Sequence, residues 1–365
     1  MFEKQQLLHV VIGFFIIAII IVPSFSSSIL SLNLDINSFF GNYTEKSTSI
    51  KPITPKDDAF HGTTPFPSVE WWYFDSMFTQ NYSVHVGFKI FTFQGFNLLK
   101  PAINIYYEQQ LIANETILLP QSAFDVSENY PEITIHNEPV MRFNRSHYEQ
   151  TGEWIYQVSY FLNGIGIDLI FSGETPGWLY ETPHEGWTVA IPQGKVEGHI
   201  QIHDQKIAVE GRGYHDHNWN FSLATPFRGW SWYWGKITGE TLNLAWAEIK
   251  ETRILEQTFT DKLGVLNTQN NEFIVIHPQN ISFSAESYVF KDNRFIPTIF
   301  HITIEQDDIF VDVTLTSKVI HRSDPLIATI HYWRYFVSVN GVISYGDTID
   351  HIHEKTQIME FMRFI

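Results

Sequence analysis

From Ser83 onward the sequence keeps returning to a period of two, and that alternation constrains the fold more than any other feature. Between Ser83 and Phe93 the apolar residues Val84, Val86, Phe88 and Ile90 fall on one face of an extended chain. The runs Val196 to Ile202 and Ile207 to Gly211 flank His203-Asp204-Gln205-Lys206 as a hairpin. Phe336 to Val339 and Val342 to Tyr345 are joined by Asn340-Gly341, the pair a two-residue type I′ turn prefers. Further strands are predicted at Ile167 to Ser172, Trp230 to Ile237, Leu242 to Ile249, Ile281 to Phe290, Phe310 to Leu315 and Ile327 to Tyr335. No long helical period survives outside the N-terminus. Many strands at hairpin spacing make an all-β barrel or sandwich.

At 365 residues the chain is too long for one ordinary core. Two β domains are therefore expected, 58–225 and 226–365, with the break around Ser222 to Phe227. The chain carries 30 Phe, 16 Tyr and 11 Trp, a supply of large rings that suits a β-walled cavity. Its formal net charge of −17 leaves no cationic excess to neutralise phosphates, which argues against nucleic acid. With no cysteine, disulfides, thiolate metal sites and a cysteine nucleophile are excluded together. No Gly-rich phosphate loop points to a nucleotide, and no cofactor is expected.

The N-terminus reads differently. Leu7 to Val22 is apolar except for His9 and follows Lys4, which makes 1–28 a membrane anchor or a signal peptide. Ser24-Phe25-Ser26 offers a cleavage site for the second reading, and a buried core helix is the structural alternative. Lys4 and the terminal amine favour a start held inside, with the body outside the cytoplasm or secreted. Residues 29–57, rich in Ser, Asn, Thr and Lys, read as a polar linker. Sequons at Asn42, Asn81, Asn114, Asn144, Asn220 and Asn280 fit an exported body.

Three segments are candidates for chemistry. In His61-Gly62 followed by Glu70-Trp71-Trp72-Tyr73-Phe74, alternation puts Glu70, Trp72 and Phe74 on one face and Trp71 and Tyr73 on the other. A carboxylate among rings loses solvation, which raises its pKa and suits it to act as an acid, although a structural Glu70 paired with an Arg explains the pattern as well. In Gly213-Tyr214-His215-Asp216-His217-Asn218-Trp219, His215 and His217 share one face, while Tyr214, Asp216 and Asn218 share the other. An Asp near His can fix a tautomer or supply a proton. A polar cluster closing a strand end is the structural alternative. A His-x-His metal pair completed by His199 or His203 is a further one. In Arg228-Gly229-Trp230-Ser231-Trp232-Tyr233-Trp234, three indoles line one face, a wall for a flat apolar ligand or simply packing. Asp350-His351-Ile352-His353-Glu354 reads as a solvated strand edge.

Together and in this order, His61-Gly62 with Glu70-Trp71-Trp72-Tyr73, then Gly213 to Trp219, then Arg228-Gly229-Trp230-Ser231-Trp232 resemble the hydroxyneurosporene synthase or carotenoid hydratase family. The similarity covers about residues 57 to 365. It implies two AttH-type, lipocalin-like β-barrel domains after the N-terminal hydrophobic helix, with an apolar site at or between them. It also implies acid-catalysed addition of water to an isoprenoid double bond. By position, His217 and Trp219 match residues tied to hydration, and Asp216 is the adjacent proton donor. In that reading a carboxylic acid, Asp216 or Glu70, protonates the alkene, rings shield the cation and His217 activates water. The ligand wall is expected from Trp72, Tyr73, Tyr214, His215, Trp230, Trp232, Trp234 and Trp246. One departure is visible: Leu244 and Trp246 stand where the hydratases carry a Tyr and an Asp.

Three functions follow as expectations: an isoprenoid-processing hydratase, cyclase or isomerase; a lipocalin-like carrier or sensor of an apolar ligand at a membrane surface; and a structural envelope protein whose rings are only core. A cavity separates the first two from the third, and an acid facing that cavity separates the first from the second.

Overall fold

A computed structural model describes residues 49–62, 68–93, 96–182, 185–222, 229–252, 258–268, 271–323 and 330–364. The expectations for the anchor, its orientation and most of the linker fall on 1–48 and lie outside the described residues. One compact unit runs from Thr48 to Ile365. Within it the chain forms two curled antiparallel sheets, a two-domain lipocalin-like all-β fold.

The first sheet takes strands up to Ser222, and the second begins at Gly229. At the heart of the first, Ser68–Phe78 lies between Tyr82–Phe93 and Gln205–Ser222, and Glu185–Ile202 follows. In the second, Gly229–Thr238 lies between Asn243–Thr252 and Thr348–Phe364, with Ile330–Tyr345 next. The alternation read from sequence is what closes each curl. Val84, Val86, Phe88 and Ile90 are fully buried in the first core, beside Phe74, Tyr156 and Phe171. Ile302, Val311, Val313, Val337 and Val339 do the same in the second. A third apolar cluster, including Tyr73, Trp187, Tyr214, Trp232, Trp234 and Val265, joins the outer faces of the two sheets. The interface between the lobes is thus a core in its own right.

Two expectations are corrected. Residues 49–57, assigned to the polar linker, belong to the fold. Ser49–Pro52 pairs antiparallel with Trp178–Thr182, and a 3-10 turn at Pro55–Asp58 docks through the Thr188 hydroxyl, which donates to the Asp57 carbonyl at 2.7 Å. Polar composition hid this because the pairing uses backbone groups. The second correction concerns Asn340-Gly341, which is not a hairpin turn. The strand Ile330–Tyr345 runs straight through it, and the turn comes at Gly346-Asp347. Gly341 sits at a register shift with φ of +142°, and a Cβ there would lie 2.1 Å from the Asp312 carbonyl oxygen. The glycine answers a close backbone approach inside a bulge. The expected hairpin after Ile202 is present, with Ile202 opposite Gln205.

Gly341→Ala should therefore destabilise the second lobe by about 2 kcal/mol or more, since both φ and space exclude a side chain. Urea denaturation is the check, and an alanine variant of wild-type stability would remove the bulge argument.

Candidate functional site

The two polar motifs meet because their strands are neighbours. Ser68–Phe78 and Gln205–Ser222 pair so that Trp72 stands opposite His217, Tyr73 opposite Asp216 and Phe74 opposite His215. Directly opposed residues share a face. One ladder therefore presents Glu70, Trp72, Phe74, His215, His217 and Trp219 to the interior of the first lobe. Its other side turns Tyr73, Asp75, Tyr214, Asp216 and Asn218 toward the second lobe.

The inner face is a dry network of acids and imidazoles. His215 is stacked on Phe74 at 3.8 Å, and His217 on Trp72 at 4.3 Å. Asp58, delivered by the 3-10 turn, reaches both rings and is fully buried. His215 Nδ1 lies 3.0 Å from the Tyr73 carbonyl, which can only accept, so that nitrogen carries a proton. Its Nε2 lies 3.0 Å from Asp58 Oδ2, which also accepts the Tyr156 hydroxyl at 2.5 Å. His217 Nε2 donates to Glu70 Oε1 at 2.8 Å, and His61 packs over Trp219 with its Nδ1 3.3 Å from the same oxygen. Burial raises the Glu70 pKa, but hydrogen bonds and charge from His217 and His61 more than offset it and leave it lowered. Burial outweighs Glu70 and Asp58 at His217, whose pKa is also lowered. The neutral His217 ring then faces Asp58 Oδ1 through Nδ1 at 3.5 Å, and neither atom has a hydrogen-bond partner.

His61, Glu70 and His217 are the one group among the described residues whose donor atoms cluster tightly enough for a metal, all within 4.8 Å. The short Nε2–Oε1 hydrogen bond closes them on each other. His199 and His203, considered as completing a His-x-His pair, stand apart near the hairpin at Ile202. Glu70 pairs with histidines, not with the arginine considered from sequence.

The outer face lines a pocket between the lobes. Its walls include Tyr73, His85, Lys89, Phe91, Trp187, Asp216, Asn218, Trp232, Trp234, Tyr332 and Glu360, enclosing about 90 Å³ within a wider cleft. Asp216 is held by three donors: Tyr214 Oη at 2.8 Å and Trp187 Nε1 at 3.0 Å on Oδ2, and Asn218 Nδ2 at 3.1 Å on Oδ1. Even so, burial pushes its pKa up to about 7, with the Glu360 charge adding to the rise. A buried ion cluster forms one flank. Arg334 donates to Glu360 at 2.7 Å and to the Tyr73 hydroxyl, Trp234 Nε1 donates to Glu360 at 2.9 Å, and Lys236 pairs with Asp75. Burial and the nearby Arg334 and Lys89 charges hold His85 neutral, well below the usual imidazole pKa. Lys89 is brought down to about 8 by burial and by Lys100. The indole N–H of Trp232 is buried and unpartnered.

The structure thus sorts the sequence candidates into two places. Glu70, Trp72, His215, His217 and Trp219 lie on the inner face; Tyr73, Tyr214, Asp216, Trp232 and Trp234 lie at or beside the pocket. Asp216 and His217, adjacent in sequence, point to opposite sides of their strand, so they do not share one substrate atom. Trp246 is corrected: it pairs with Gly235 and is buried in the second lobe's core with Leu244 and Phe283, away from the pocket. The side chain of Trp230 lies outside the described residues. Sequence reasoning missed Asp58, His85, Lys89, Trp187, Lys236, Arg334, Tyr332 and Glu360. Only the strand parity around Lys89 and Glu360 offered a signal.

No family model matches the chain, and no curated protein does. Solved structures match along most of its length. An AttH-type protein from Nitrosomonas europaea is similar at a TM-score of 0.63 and 14% identity, covering 86% of this chain and 98% of that one. Kievitone hydratase from Nectria haematococca follows at 0.55 and 10%, covering 86% and 93%. CghA, solved with Sch210972, gives 0.56 and 10%, covering 87% and 98%. At these identities the likeness is one of fold: the two-lobed AttH-like lipocalin arrangement.

Two outcomes follow. Asp58→Ala, which strips Tyr156 and His215 of their acceptor, should cost on the order of 3–5 kcal/mol in urea denaturation. Asp216 binds its proton more tightly folded than unfolded, because its pKa rises from 3.8 to about 7. Its contribution is therefore full below about pH 4, declines as pH rises to about 7, and stays lost above. Asp216→Asn should flatten that stretch of the stability–pH curve, and an unchanged curve would show that the group ionises normally.

Proposed function

We propose that the protein binds an apolar small molecule in the pocket between its lobes and that Asp216 acts on it as a general acid. The finer reading is hydration, cyclisation or isomerisation of an isoprenoid, as the resemblance to carotenoid hydratases implies. The observation that carries this is Asp216 itself: a buried carboxyl with a pKa of about 7, facing an aromatic pocket. A group poised there is half protonated at neutral pH and donates a proton without a large penalty.

In the hydration form, the Asp216 proton passes to one alkene carbon and leaves a cation on its neighbour. Trp232, Trp234 and Trp187 line the pocket, and indole rings stabilise such a charge. Water adds to the cation and returns a proton to the Asp216 carboxylate, so one water is consumed and the acid is regenerated. In isomerisation or cyclisation, a carbon-bound proton is returned instead. His217 has no part in the water step, since it lies behind the strand; His85 and Lys89 are the titratable neighbours on the pocket side. The enclosed 90 Å³ fits the reacting segment of a longer molecule, whose remainder would extend through the open mouth. A hydratase and a small-molecule complex occur among proteins of this fold, which is consistent with the reading.

The carrier reading keeps the pocket and removes the chemistry. It is favoured by one feature, the three donors that already satisfy Asp216.

Organic extraction of the purified full-length chain, with mass spectrometry after incubation with polyenes and lipids, should recover a stoichiometric apolar ligand. Asp216→Asn should keep the ligand and lose conversion by about 100-fold or more. Wild-type conversion should fall tenfold per pH unit above about 7. Conversion untouched by Asp216→Asn would refute the acid, retention without conversion in the wild type would leave a carrier, and an empty extract would remove the pocket reading.

A further inference from the structure

The second lobe ends in a hairpin whose apolar residues face outward. Ile281–Lys291 and Arg294–Gln306 are joined at Asp292-Asn293, both with positive φ, the geometry of a tight two-residue turn. Near this tip Tyr288 is 57% exposed, Phe290 65% and Phe295 62%. Phe290 and Phe295 are cross-strand partners with ring centroids 5.2 Å apart. Ser287, at φ of +57°, breaks the regular pleat just before them. The polar groups of the tip are tied back onto the lobe. Trp333 Nε1 donates to Asp292 at 2.9 Å, Lys291 Nζ to the Ile320 carbonyl at 2.6 Å, and Arg294 to His331 Nε2 at 3.2 Å. A rigidly anchored turn thus holds large rings in water, where they cost free energy unless something covers them.

The same end is basic. Arg294, Arg322 and Arg363 gather around His331, whose pKa burial and then these charges lower, with Asp292 as the opposing acid. Lys291 adds its charge beside His321. In a chain of net charge −17, this gathering of cations among the described residues stands against the overall sign. It also shares an end of the sheet with the pocket. His331 alternates with Ile330 and Tyr332, and Arg363 with Met362; those three neighbours line the pocket, while His331 and Arg363 face the other side of the sheet at the same strand ends. Aromatic residues flanked by Lys and Arg are the composition that settles at the boundary between headgroups and acyl chains. The remaining acidic surface would be repelled by anionic lipid, which fixes which end approaches.

We propose that the hairpin tip Tyr288–Phe295, with Lys291, Arg294, Arg322 and Arg363, is a docking surface for an anionic lipid bilayer. Docked there, the lobe brings the mouth of its pocket to the membrane, where an apolar molecule resides. That consequence rests on the function proposed above; the docking itself does not.

The absence of cysteine allows a single label to be placed at will. Full-length Phe290→Cys carrying nitrobenzoxadiazole, and Asp204→Cys as a distant exposed control, would be reconstituted into vesicles of phosphatidylcholine alone or with phosphatidylglycerol. With phosphatidylglycerol, the label at 290 should shift to the blue and lose most of its quenching by aqueous iodide, while the label at 204 should not. About 1 M salt, where the Debye length is about 3 Å, should reverse much of the shift. Lys291→Glu with Arg294→Glu should weaken it by roughly tenfold or more. No change at 290 in either vesicle would overturn the proposal. So would a shift in phosphatidylcholine alone that follows the protein-to-lipid ratio, which would assign the tip to a second copy of the chain. Neither result depends on whether the pocket yields a ligand.

Discussion

The antiparallel pairing of Ser68–Phe78 with Gln205–Ser222 is the contact on which both polar regions depend. Its register sets Trp72 against His217 and Tyr73 against Asp216, and so divides one ladder into an inner face of hydrogen-bonded acids and imidazoles and a pocket-lining outer face. A slip of one residue would exchange the two, placing Asp216 among the hydrocarbon of the first core and the imidazoles against the second lobe. The stacking of His215 on Phe74 and of His217 on Trp72 penalises such a slip strongly. The network of Asp58, Glu70, Tyr156 and the two imidazoles therefore fixes register as much as it carries charge. Buried polar groups are costly, and their best-attested use is to single out one arrangement among near-equivalents.

The second lobe is joined to the first by the same logic. Tyr73 and Asp75 belong to one sheet, Lys236, Arg334 and Glu360 to the other; all are buried except Lys236, which is partly exposed. Apolar contacts among Trp187, Trp232 and Trp234 surround them. Aromatic packing supplies attraction between the lobes, and the ions supply direction. Between them a narrow space remains in which a carboxyl is held short of full ionisation.

Strand parity is a local property, and whatever depended on it was legible. The separation of Glu70, Trp72 and Phe74 from Trp71 and Tyr73, and of the two histidines from Asp216, follows from alternation alone. The same parity already forbade Asp216 and His217 from working on one atom. What the sequence concealed was pairing between distant strands. Tyr73 meets Glu360 across 287 positions, and no local pattern brings them together. Trp246 looked like an extension of the indole wall because its opposite number could not be known. Its partner is Gly235, whose face is the core, while Trp234 stands opposite Ala247. Asp58 was hidden by its setting, the first position after a polar stretch that read as linker until Ser49–Pro52 was seen to join the sheet. Asn340-Gly341 misled because a glycine demanded by backbone crowding looks, in sequence, like one demanded by a turn.

Asp58 has one further implication. It lies six residues beyond the strand Ser49–Pro52, at the place where the preceding chain enters the folded body. Tension on that chain is borne first by the short pairing with Trp178–Thr182 and then by the 3-10 turn that carries the carboxylate. A load sufficient to peel the strand would withdraw the acceptor shared by Tyr156 and His215, leaving both without it in a dry interior. The polar centre of the first lobe is thus held in place from the point where the chain enters it.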